Sequence, residues 1–335
     1  MEVGGRKLGA GRPSFLVAEI GGNHGGSAEL ASSMVAAAAA ARVDGVKFQA
    51  YRTAHFLSRL SPYYDELAAE ELSFRQLGRL VGQAHNLGLA AGLTVFDEAG
   101  LDLARDCGAD FLKISSGDLT YHDLLHKSAS AGLPLFLSTG AADESEVASA
   151  LEAVKNNRAG LVVLQCAALY PAPPEAVNLA VMTRWRDEGL TAGYSDHTLG
   201  LAAAKLAVAL KAAVVEKHFT IDRSLPGGDN AISGIPDDFR ELVGWRDECQ
   251  VIFGEPVKRP HAQEEAVRPI IRRAVVTGRD IAAGHILTAD DLRLKRPPSA
   301  MEGPGPECFD EIIGRRLLKN LPEDAPVLWS DLETR

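Results

Sequence analysis

Four ionisable side chains stand inside short apolar segments of this 335-residue sequence, where charged residues are unusual. They are Glu19 in FLVAEIG, Lys47 in GVKFQAY, Lys113 in FLKISSG and Glu216 in AVVEKHF. Burying such a group costs several kcal/mol unless a partner compensates for the lost hydration. Each therefore belongs either to a functional site or to a buried salt bridge, or, for the lysines, extends its ammonium group to the surface, and the sequence leaves these interpretations open.

Hydroxyl side chains recur near the ends of similar segments, at Thr94, Ser116 and Ser138. Taken singly, a serine or threonine at a strand end is more often a turn or cap residue. Ammonium and hydroxyl groups together donate to phosphate or carboxylate oxygens. Their repetition on successive segments, with Lys47 and Lys113, predicts an anion site that suits a phosphate.

Two histidines, His197 and His218, end neighbouring apolar segments. Imidazole nitrogens bind divalent ions, and two such ligands would leave open positions for water and substrate. The alternative is a pair of hydrogen-bonded structural histidines, and two histidines alone do not select a metal. Asp196 and Glu216 are candidates to orient the rings from behind.

Eight β-type segments alternate with Ala/Leu/Glu-rich segments of helical length over about 220 residues, a pattern typical of a (β/α)8 TIM barrel. The four ionisable residues and the histidines then lie near the carboxyl ends of strands, where barrel enzymes carry their active sites. A doubly wound open sheet is the alternative, although no GxGxxG follows the first strand. The predicted strands are Phe15 to Gly21, Gly45 to Tyr51, Ala90 to Phe96, Phe111 to Gly117, Leu133 to Gly140, Leu161 to Ala168, Thr191 to His197 and Ala213 to Phe219.

Two domains are predicted, because a Pro-rich charged passage, GEPVKRPHAQEEAVRP, follows the last helical segment. The expected boundaries are a barrel domain at residues 1–255, a linker at 256–270 and a small β-rich domain at 271–335. So short a tail has only a marginal core of its own.

The composition excludes several classes of function. A formal net charge of −10 argues against nucleic acid or an anionic membrane as the main partner. The four cysteines are widely spaced, so neither a disulfide framework nor a zinc ribbon is indicated. No signal-peptide pattern and no apolar stretch of roughly 20 residues is present, which leads us to expect a cytoplasmic location.

The order of motifs identifies a family resemblance over nearly the full length. The chain resembles the N-acetylneuraminate (sialic acid) synthase family, which includes legionaminic and pseudaminic acid synthases. Its tail, DIAAGHILTADDLRLKRP, resembles the antifreeze-like (SAF) domain of that family. The matching barrel motifs are AEIGGNHGG, VDGVKFQ, LTVFD, LKISSGD, LSTG, LQCAALYPAP, GYSDHTLG and VVEKHFTIDRSLPGGD.

The resemblance implies a transferase that condenses phosphoenolpyruvate with an N-acylated sugar aldehyde such as N-acetylmannosamine, releasing phosphate by C–O cleavage. It also implies a domain-swapped homodimer and a divalent metal ion, with manganese preferred and magnesium or cobalt as alternatives. The implied roles are phosphoenolpyruvate binding by Lys47, Thr94, Lys113, Ser116 and Ser138; metal binding by His197 and His218; catalysis by Glu19, Asp118 and His218; and sugar binding by Gln49, Tyr170, Asp229 and, from the partner subunit, Arg296.

Several departures from the family pattern bear on the sugar. Asp118 stands where many members carry Glu, and Asn230 stands where His is common. The segment from Arg52 to Ser73 is short for the family, and loops after barrel strands select substrates. Two other functions stay open: a class I aldolase or lyase that uses Lys113 or Lys47 as a Schiff base, and a non-catalytic sugar-binding barrel.

Overall fold

The protein is described here by a computed structural model that covers residues 1–297 and 303–334. The chain divides into two compact units, Met1–Gly254 and Glu255–Arg335. The predicted C-terminal domain, residues 271–335, includes positions 298–302 and 335, which lie outside the described residues. Within the described ranges, no helix is both long enough and apolar enough to cross a bilayer.

Eight parallel strands close into a barrel in the first unit, which confirms the predicted (β/α)8 fold. A short antiparallel hairpin, β1 (Glu2–Val3) and β2 (Arg6–Lys7), precedes them. Each barrel strand pairs with the next one in the chain, and the last closes the barrel by pairing with the first. The barrel strands are β3 (Phe15–Glu19), β4 (Gly45–Ala50), β5 (Ala90–Val95), β6 (Phe111–Ile114), β7 (Leu135–Ser138), β8 (Leu161–Cys166), β9 (Ala192–Asp196) and β10 (Val214–His218).

Helices surround the barrel and begin where the sequence provides caps. Ser27 accepts a hydrogen bond from the backbone N–H of Leu30 at the first long helix, and Asp143 forms a capping box with Glu146 at another. The helices of this unit are α1 (Ala28–Ala40), α2 (Thr53–Phe56), α3 (Tyr64–Glu70), α4 (Phe74–Asn86), α5 (Glu98–Asp106), α6 (His122–Ala129), α7 (Glu144–Val154), α8 (Pro174–Val177), α9 (Ala180–Asp187), α10 (Ala202–Ala209) and α11 (Pro236–Phe253).

The fourth predicted strand is shorter than expected. Strand β6 ends at Ile114, and Ser116–Asp118 forms a 3-10 turn. The N–H of Asp118 donates to the carbonyl of Ser115, and the Ser115 hydroxyl donates to the Asp118 carboxylate at 2.6 Å. These local bonds satisfy the chain without a neighbouring strand, so the backbone turns there.

The interior of the barrel changes from apolar to charged along its axis. Phe15, Phe111 and Phe136 fill the amino-terminal part, where the last two rings stack with centroids 4.4 Å apart. Val3 of the hairpin packs into the same cluster and closes that end. Since side chains two positions apart share a face, the next inward layer carries the ionisable residues. Chemistry is therefore confined to the carboxyl ends of the strands.

The second unit has its own apolar cluster, which includes Val275, Ile312 and Val327. It contains α12 (Ala262–Ile271), β11 (Ala274–Thr277), β12 (Leu292–Lys295) and α13 (Phe309–Ile312). Helix α12 occupies most of the segment predicted as a linker. It begins at a capping box in which the Glu264 carboxylate accepts the N–H of His261 at 2.7 Å. In the sequence, the prolines before this capping box favour a linker over a helix.

Candidate active site

A layer of two buried lysines and two buried glutamates spans the barrel interior. Lys113 Nζ lies 2.7 Å from Glu216 Oε1, and Lys47 Nζ lies 2.6 Å from Glu19 Oε2. Lys47 is also 4.0 Å from Glu216, which links the two pairs. All four side chains line a cavity of about 210 Å³. The residues thus form salt bridges and line a cavity at once, so two of the interpretations open at the sequence level, a functional site and a buried salt bridge, are compatible.

The two glutamates differ in their proton affinity. Burial raises the pKa of Glu216, but Lys113 and Lys47 outweigh that effect and hold its pKa at about 2. Burial also dominates for Glu19, where a single close lysine does not compensate and the nearby Glu216 adds repulsion, so the pKa of Glu19 is raised. Neighbouring carboxyls with diverging pKa values are typical of sites that separate an electrostatic role from a proton-transfer role.

Three hydroxyl groups predicted to bind an anion line the same cavity. Lys47 Nζ donates to Thr94 Oγ1 at 2.5 Å, and Ser116 Oγ accepts the N–H of Gly140 at 2.9 Å. Ser138 Oγ is buried and makes no hydrogen bond within the described part of the chain. A buried hydroxyl without a partner costs free energy, so Ser138 is a donor available to a ligand.

The two histidines meet at the mouth of this cavity. The ring centroids of His197 and His218 lie 5.4 Å apart, and the Tyr170 ring lies 4.1 Å from that of His197. His197 Nδ1 lies 2.8 Å from the carbonyl oxygen of Ala167, so it carries the proton and leaves Nε2 free as an acceptor. His218 Nδ1 is buried without a hydrogen bond among the described residues and lies 3.4 Å from Asp229 Oδ2.

His218 has one property that a ligand of a divalent metal ion requires. Burial, His197 and Lys47 hold the pKa of His218 well below its usual value, which keeps its ring neutral as a ligand must be. His197 and His218 are the two imidazoles that would hold such an ion. No group of three or more His, Cys, Asp or Glu side chains poised for a metal occurs in residues 1–297 and 303–334.

The residues predicted to contact the sugar fall into two groups. Gln49 and Tyr170 line the cavity, and Asp229 lies beside His218. Gln49 Nε2 donates to Glu19 Oε1 at 3.2 Å, which connects a sugar-side residue to the charged layer. Arg296 is exposed and lies directly after β12 in the second unit.

Asp118 does not line the cavity. Its carboxylate accepts the hydroxyl of Ser115, which does line the cavity, and burial raises the pKa of Asp118. Its catalytic role stays a prediction, and the structure gives it an indirect path to the cavity.

Asp196 does not orient a histidine ring, so that expectation was wrong. Its carboxylate accepts Lys217 Nζ at 2.8 Å and the Tyr194 hydroxyl at 2.9 Å. The carbonyl of Ala167 takes the expected position behind His197. Asp196 and Lys217 stand one residue before His197 and His218, and alternation along a strand places them on the opposite face.

Cavity residues without a predicted role include Cys166 and Ser195. Cys166 Sγ lies 3.8 Å from His197 Nδ1, and Ser195 Oγ donates to Glu216 at 3.1 Å. Burial alone would lower the pKa of His197. The contacts with Cys166 and with the Ala167 carbonyl outweigh burial, so the pKa of His197 is raised. The period of two places Ser195 on the same strand face as His197, although the sequence assigns it no role.

A buried amide pair joins the first and last loops of the barrel. Asn23 Nδ2 donates to the Phe219 carbonyl at 2.9 Å, and Asn230 Nδ2 donates to the Gly227 carbonyl at the same distance. The Thr220 hydroxyl donates to Asn230 Oδ1. Asn230, predicted as a departure that bears on the sugar, is fully buried and holds the segment that carries Asp229.

Comparison with known proteins gives a consistent result. The model of the NeuB family matches residues 34–258, and that of the SAF domain matches residues 272–333. The N,N'-diacetyllegionaminic acid synthase of Legionella pneumophila is 36% identical, with 97% of this chain and 96% of that protein covered. The N-acetylneuraminate-9-phosphate synthase of Homo sapiens is 30% identical, with 97% of this chain and 94% of that protein covered.

A solved structure of a named synthetase is similar to this chain. It is the N-acetylneuraminic acid (sialic acid) synthetase of Leptospira borgpetersenii in complex with citrate, with a TM-score of 0.76 and 32% identity over 79% of this chain and 93% of that chain.

Proposed function

Because this chain belongs to the NeuB family, we propose that it is a transferase that condenses phosphoenolpyruvate with an N-acylated sugar aldehyde. The products are a nonulosonic acid and phosphate. The observation that carries the proposal is the cavity in which two ion-paired lysines and three hydroxyls lie below two histidines. Cations and hydroxyls bind the anionic substrate, and the histidine level above receives the aldehyde.

The reaction forms one C–C bond and one C–O bond, and it breaks the C–O bond to phosphate. The methylene carbon of phosphoenolpyruvate attacks the aldehyde carbon, whose oxygen takes up a proton and becomes a hydroxyl. Water adds its oxygen to the carbon that bears the phosphate and gives up both protons, one to the former aldehyde oxygen and one to the departing phosphate. The C–O bond to phosphate then breaks and the water oxygen becomes the keto oxygen. Phosphate leaves with the bridging oxygen, and the water oxygen stays in the sugar acid.

Lys47 and Lys113 bind the carboxylate and phosphate of phosphoenolpyruvate. Each ammonium has three donors and uses only some of them on the glutamates, so N–H groups remain for the substrate. Ser138 adds the free hydroxyl, and Ser116 and Thr94 add two more at the same level. Glu216 holds both lysines in place, because its carboxylate lies 2.7 Å from Lys113 and 4.0 Å from Lys47.

Glu19 is the carboxyl best placed to move a proton. It ends β3, lines the cavity and accepts Gln49 Nε2, which orients it toward the sugar side. His197 and His218 would hold the divalent ion, with manganese as the first choice. When bound, such an ion polarises the aldehyde and lowers the pKa of water.

A Schiff-base aldolase is the second candidate, and the ion pairs disfavour it. A Schiff base needs an amine that is free to attack a carbonyl, whereas Lys113 Nζ and Lys47 Nζ are each held in a salt bridge of 2.7 Å or less. A non-catalytic barrel is disfavoured as well, since charged groups buried this deeply without use would be costly.

We also propose a homodimer in which the partner subunit's Arg296 completes the sugar site. Arg296 is exposed on the second unit and is therefore free to bind another chain. Mixing His218→Ala with Arg296→Ala subunits tests this, because one site of the hybrid has both residues. Restored activity is expected; two inactive variants that stay inactive when mixed would refute the shared site.

A reducing cytoplasm suits the four free cysteines.

The central experiment follows phosphate release from phosphoenolpyruvate with a panel of 2-acylamino hexoses, with manganese present or chelated. Phosphoenolpyruvate labelled with ¹⁸O at the bridging oxygen should give labelled phosphate, because the C–O bond breaks. Unlabelled phosphate, or borohydride trapping of the chain, would refute the proposed reaction.

Matched variants test the residues. Ser138→Ala should raise the KM for phosphoenolpyruvate roughly tenfold, the value of one hydrogen bond to a charged group. Ser128→Ala is its control, because Ser128 is also a buried hydroxyl without a partner among the described residues but lies in α6. His218→Ala should lose Mn²⁺ binding by calorimetry, whereas His85→Gln should keep it. Equal Mn²⁺ affinities would refute the metal assignment.

A further inference from the structure

The loops at the carboxyl ends of the barrel strands, through which an acceptor must enter, are acidic. Between each strand and the barrel helix that follows it, they contain nine Asp and Glu residues, three Arg and no Lys. The loops are residues 20–27, 51–73, 96–97, 115–121, 139–143, 167–173, 197–201 and 219–235.

Two of the three arginines are already neutralised. Arg52 Nη1 lies 3.0 Å from Glu71 Oε1, and Arg223 is paired with Asp238. Arg59 is exposed and has no ion pair within the described residues. The loops therefore offer no cluster of cations comparable with Lys47 and Lys113 on the cavity floor.

Three of the carboxylates form an acidic rim beside the histidines, made of Glu66, Glu70 and Asp229. Asp229 lies 3.4 Å from His218, and Glu70 accepts the N–H of Gly228, the residue before Asp229, at 2.8 Å. Burial is the main cause of the raised pKa of Glu70, and repulsion from Glu66 and Asp229 adds to it. The three groups thus lie close enough to act on one another and on any ligand that passes them.

The direction in which an acceptor lies follows from the shape of the barrel. The cavity is closed below by the lysine–glutamate layer and the phenylalanine cluster. The aldehyde must reach inward to meet phosphoenolpyruvate, so the far end of the sugar faces the loops and the acidic rim. Hydroxyl and amide N–H groups donate to carboxylates, whereas a phosphate there meets like charge.

We infer that the acceptor is an unphosphorylated sugar and that the acidic rim rejects its phosphorylated counterpart. The inference rests on the proposed function and adds the charge class of the second substrate. The family contains synthases named for phosphorylated and for unphosphorylated products, so membership does not decide the question. Rejection by repulsion is a common means of specificity.

The test compares N-acetylmannosamine with its 6-phosphate as acceptors for the manganese-loaded enzyme. Product formation gives kcat/KM, and calorimetry gives the affinity of each sugar for the enzyme with phosphoenolpyruvate bound. The kcat/KM of the 6-phosphate should be about 100-fold lower at low salt, because its phosphate lies beside carboxylates of like charge. Raising the salt to about 0.5 M should reduce the ratio of the two kcat/KM values, because salt screens the repulsion.

Glu66→Gln should narrow the same ratio roughly tenfold, because it removes one exposed carboxylate of the acidic rim. Asp106→Asn is the matched control: Asp106 is exposed at the end of α5, at the opposite end of the barrel, and its loss should leave the ratio unchanged. A 6-phosphate that is used or bound as well as the free sugar overturns the inference alone. Absence of product with every acceptor, with no preference in binding, overturns the proposed function as well.

Discussion

Replacing Glu216 by glutamine should destabilise the barrel far more than its small change in shape suggests. The substitution preserves the size of the side chain and a hydrogen-bond acceptor for Ser195, but it removes the negative charge 2.7 Å from Lys113 and 4.0 Å from Lys47. Only Glu19 then remains to balance two buried ammonium groups. Breaking a buried ion pair by removing one partner costs about 3–5 kcal/mol.

We expect the lower end of that range, about 3 kcal/mol, because Glu19 still pairs with Lys47. For a unit of this size, that corresponds to a fall in Tm of roughly 6–12 °C. Urea unfolding followed by circular dichroism measures the loss of unfolding free energy, and a thermal scan measures the fall in Tm. Glu241→Gln is the control, since Glu241 forms an exposed pair with Lys205 that is worth about 0–1 kcal/mol.

Phosphoenolpyruvate provides the second part of the test. In Glu216→Gln the uncompensated lysines gain a partner when an anion binds, so saturating phosphoenolpyruvate should raise the Tm of the variant more than that of the native protein. A variant that unfolds within about 0.5 kcal/mol of the native protein would refute the reasoning. Equal stabilisation of both proteins by the anion would show that these lysines do not bind it.

Three further predictions concern the loops and the second unit. Asn230→Ala should cost about 2–3 kcal/mol of unfolding free energy, because Thr220 and the backbone lose a buried partner; a change under 0.5 kcal/mol in urea would contradict it. Gly228→Ala should raise the KM for the acceptor, since φ is +52° and a Cβ would lie 2.9 Å from Asn23 Oδ1; an unchanged KM would show that the loop adapts. Burial would raise the pKa of Asp291, but hydrogen bonds from neighbouring side chains outweigh it and hold that pKa well below its usual value. The stabilisation that Asp291 gives to the second unit is therefore fully present above about pH 5 and is lost as the pH falls below about 4. Asp291→Asn should abolish this pH dependence of the unfolding free energy in fluorescence-monitored acid unfolding.

The sequence predicted the barrel well because eight β-type segments alternate with helical segments over about 220 residues. Within a strand, the period of two places Lys47 on one face with Gln49, and Glu216 on one face with His218. It also explains a failure: Asp196, one residue from His197, was expected to serve the histidine and instead pairs with Lys217 on the other face. Adjacency in sequence was given more weight than adjacency in space.

Contacts between distant loops could not be predicted in this way. Glu70 and Gly228 are 158 residues apart, and only the closure of the barrel brings the loops after β4 and β10 together. Nothing in the local pattern at Glu70 distinguishes it from its neighbours in α3. The same holds for Asn230, which the sequence marks as unusual for the family but whose burial depends on Asn23 from the first loop.

The division of labour between Glu19 and Glu216 follows from where the lysines lie. Both carboxyls are buried to a similar degree, so burial alone would raise both pKa values. Glu216 stands between two lysines and stays an anion, whereas Glu19 has one lysine on one side and Gln49 on the other. Without this asymmetry both carboxyls would be anions or both would be neutral acids, and the cavity would lose either its proton carrier or the charge that holds its lysines. The placement of one lysine thus allows one strand to supply structure and the neighbouring strand to supply chemistry.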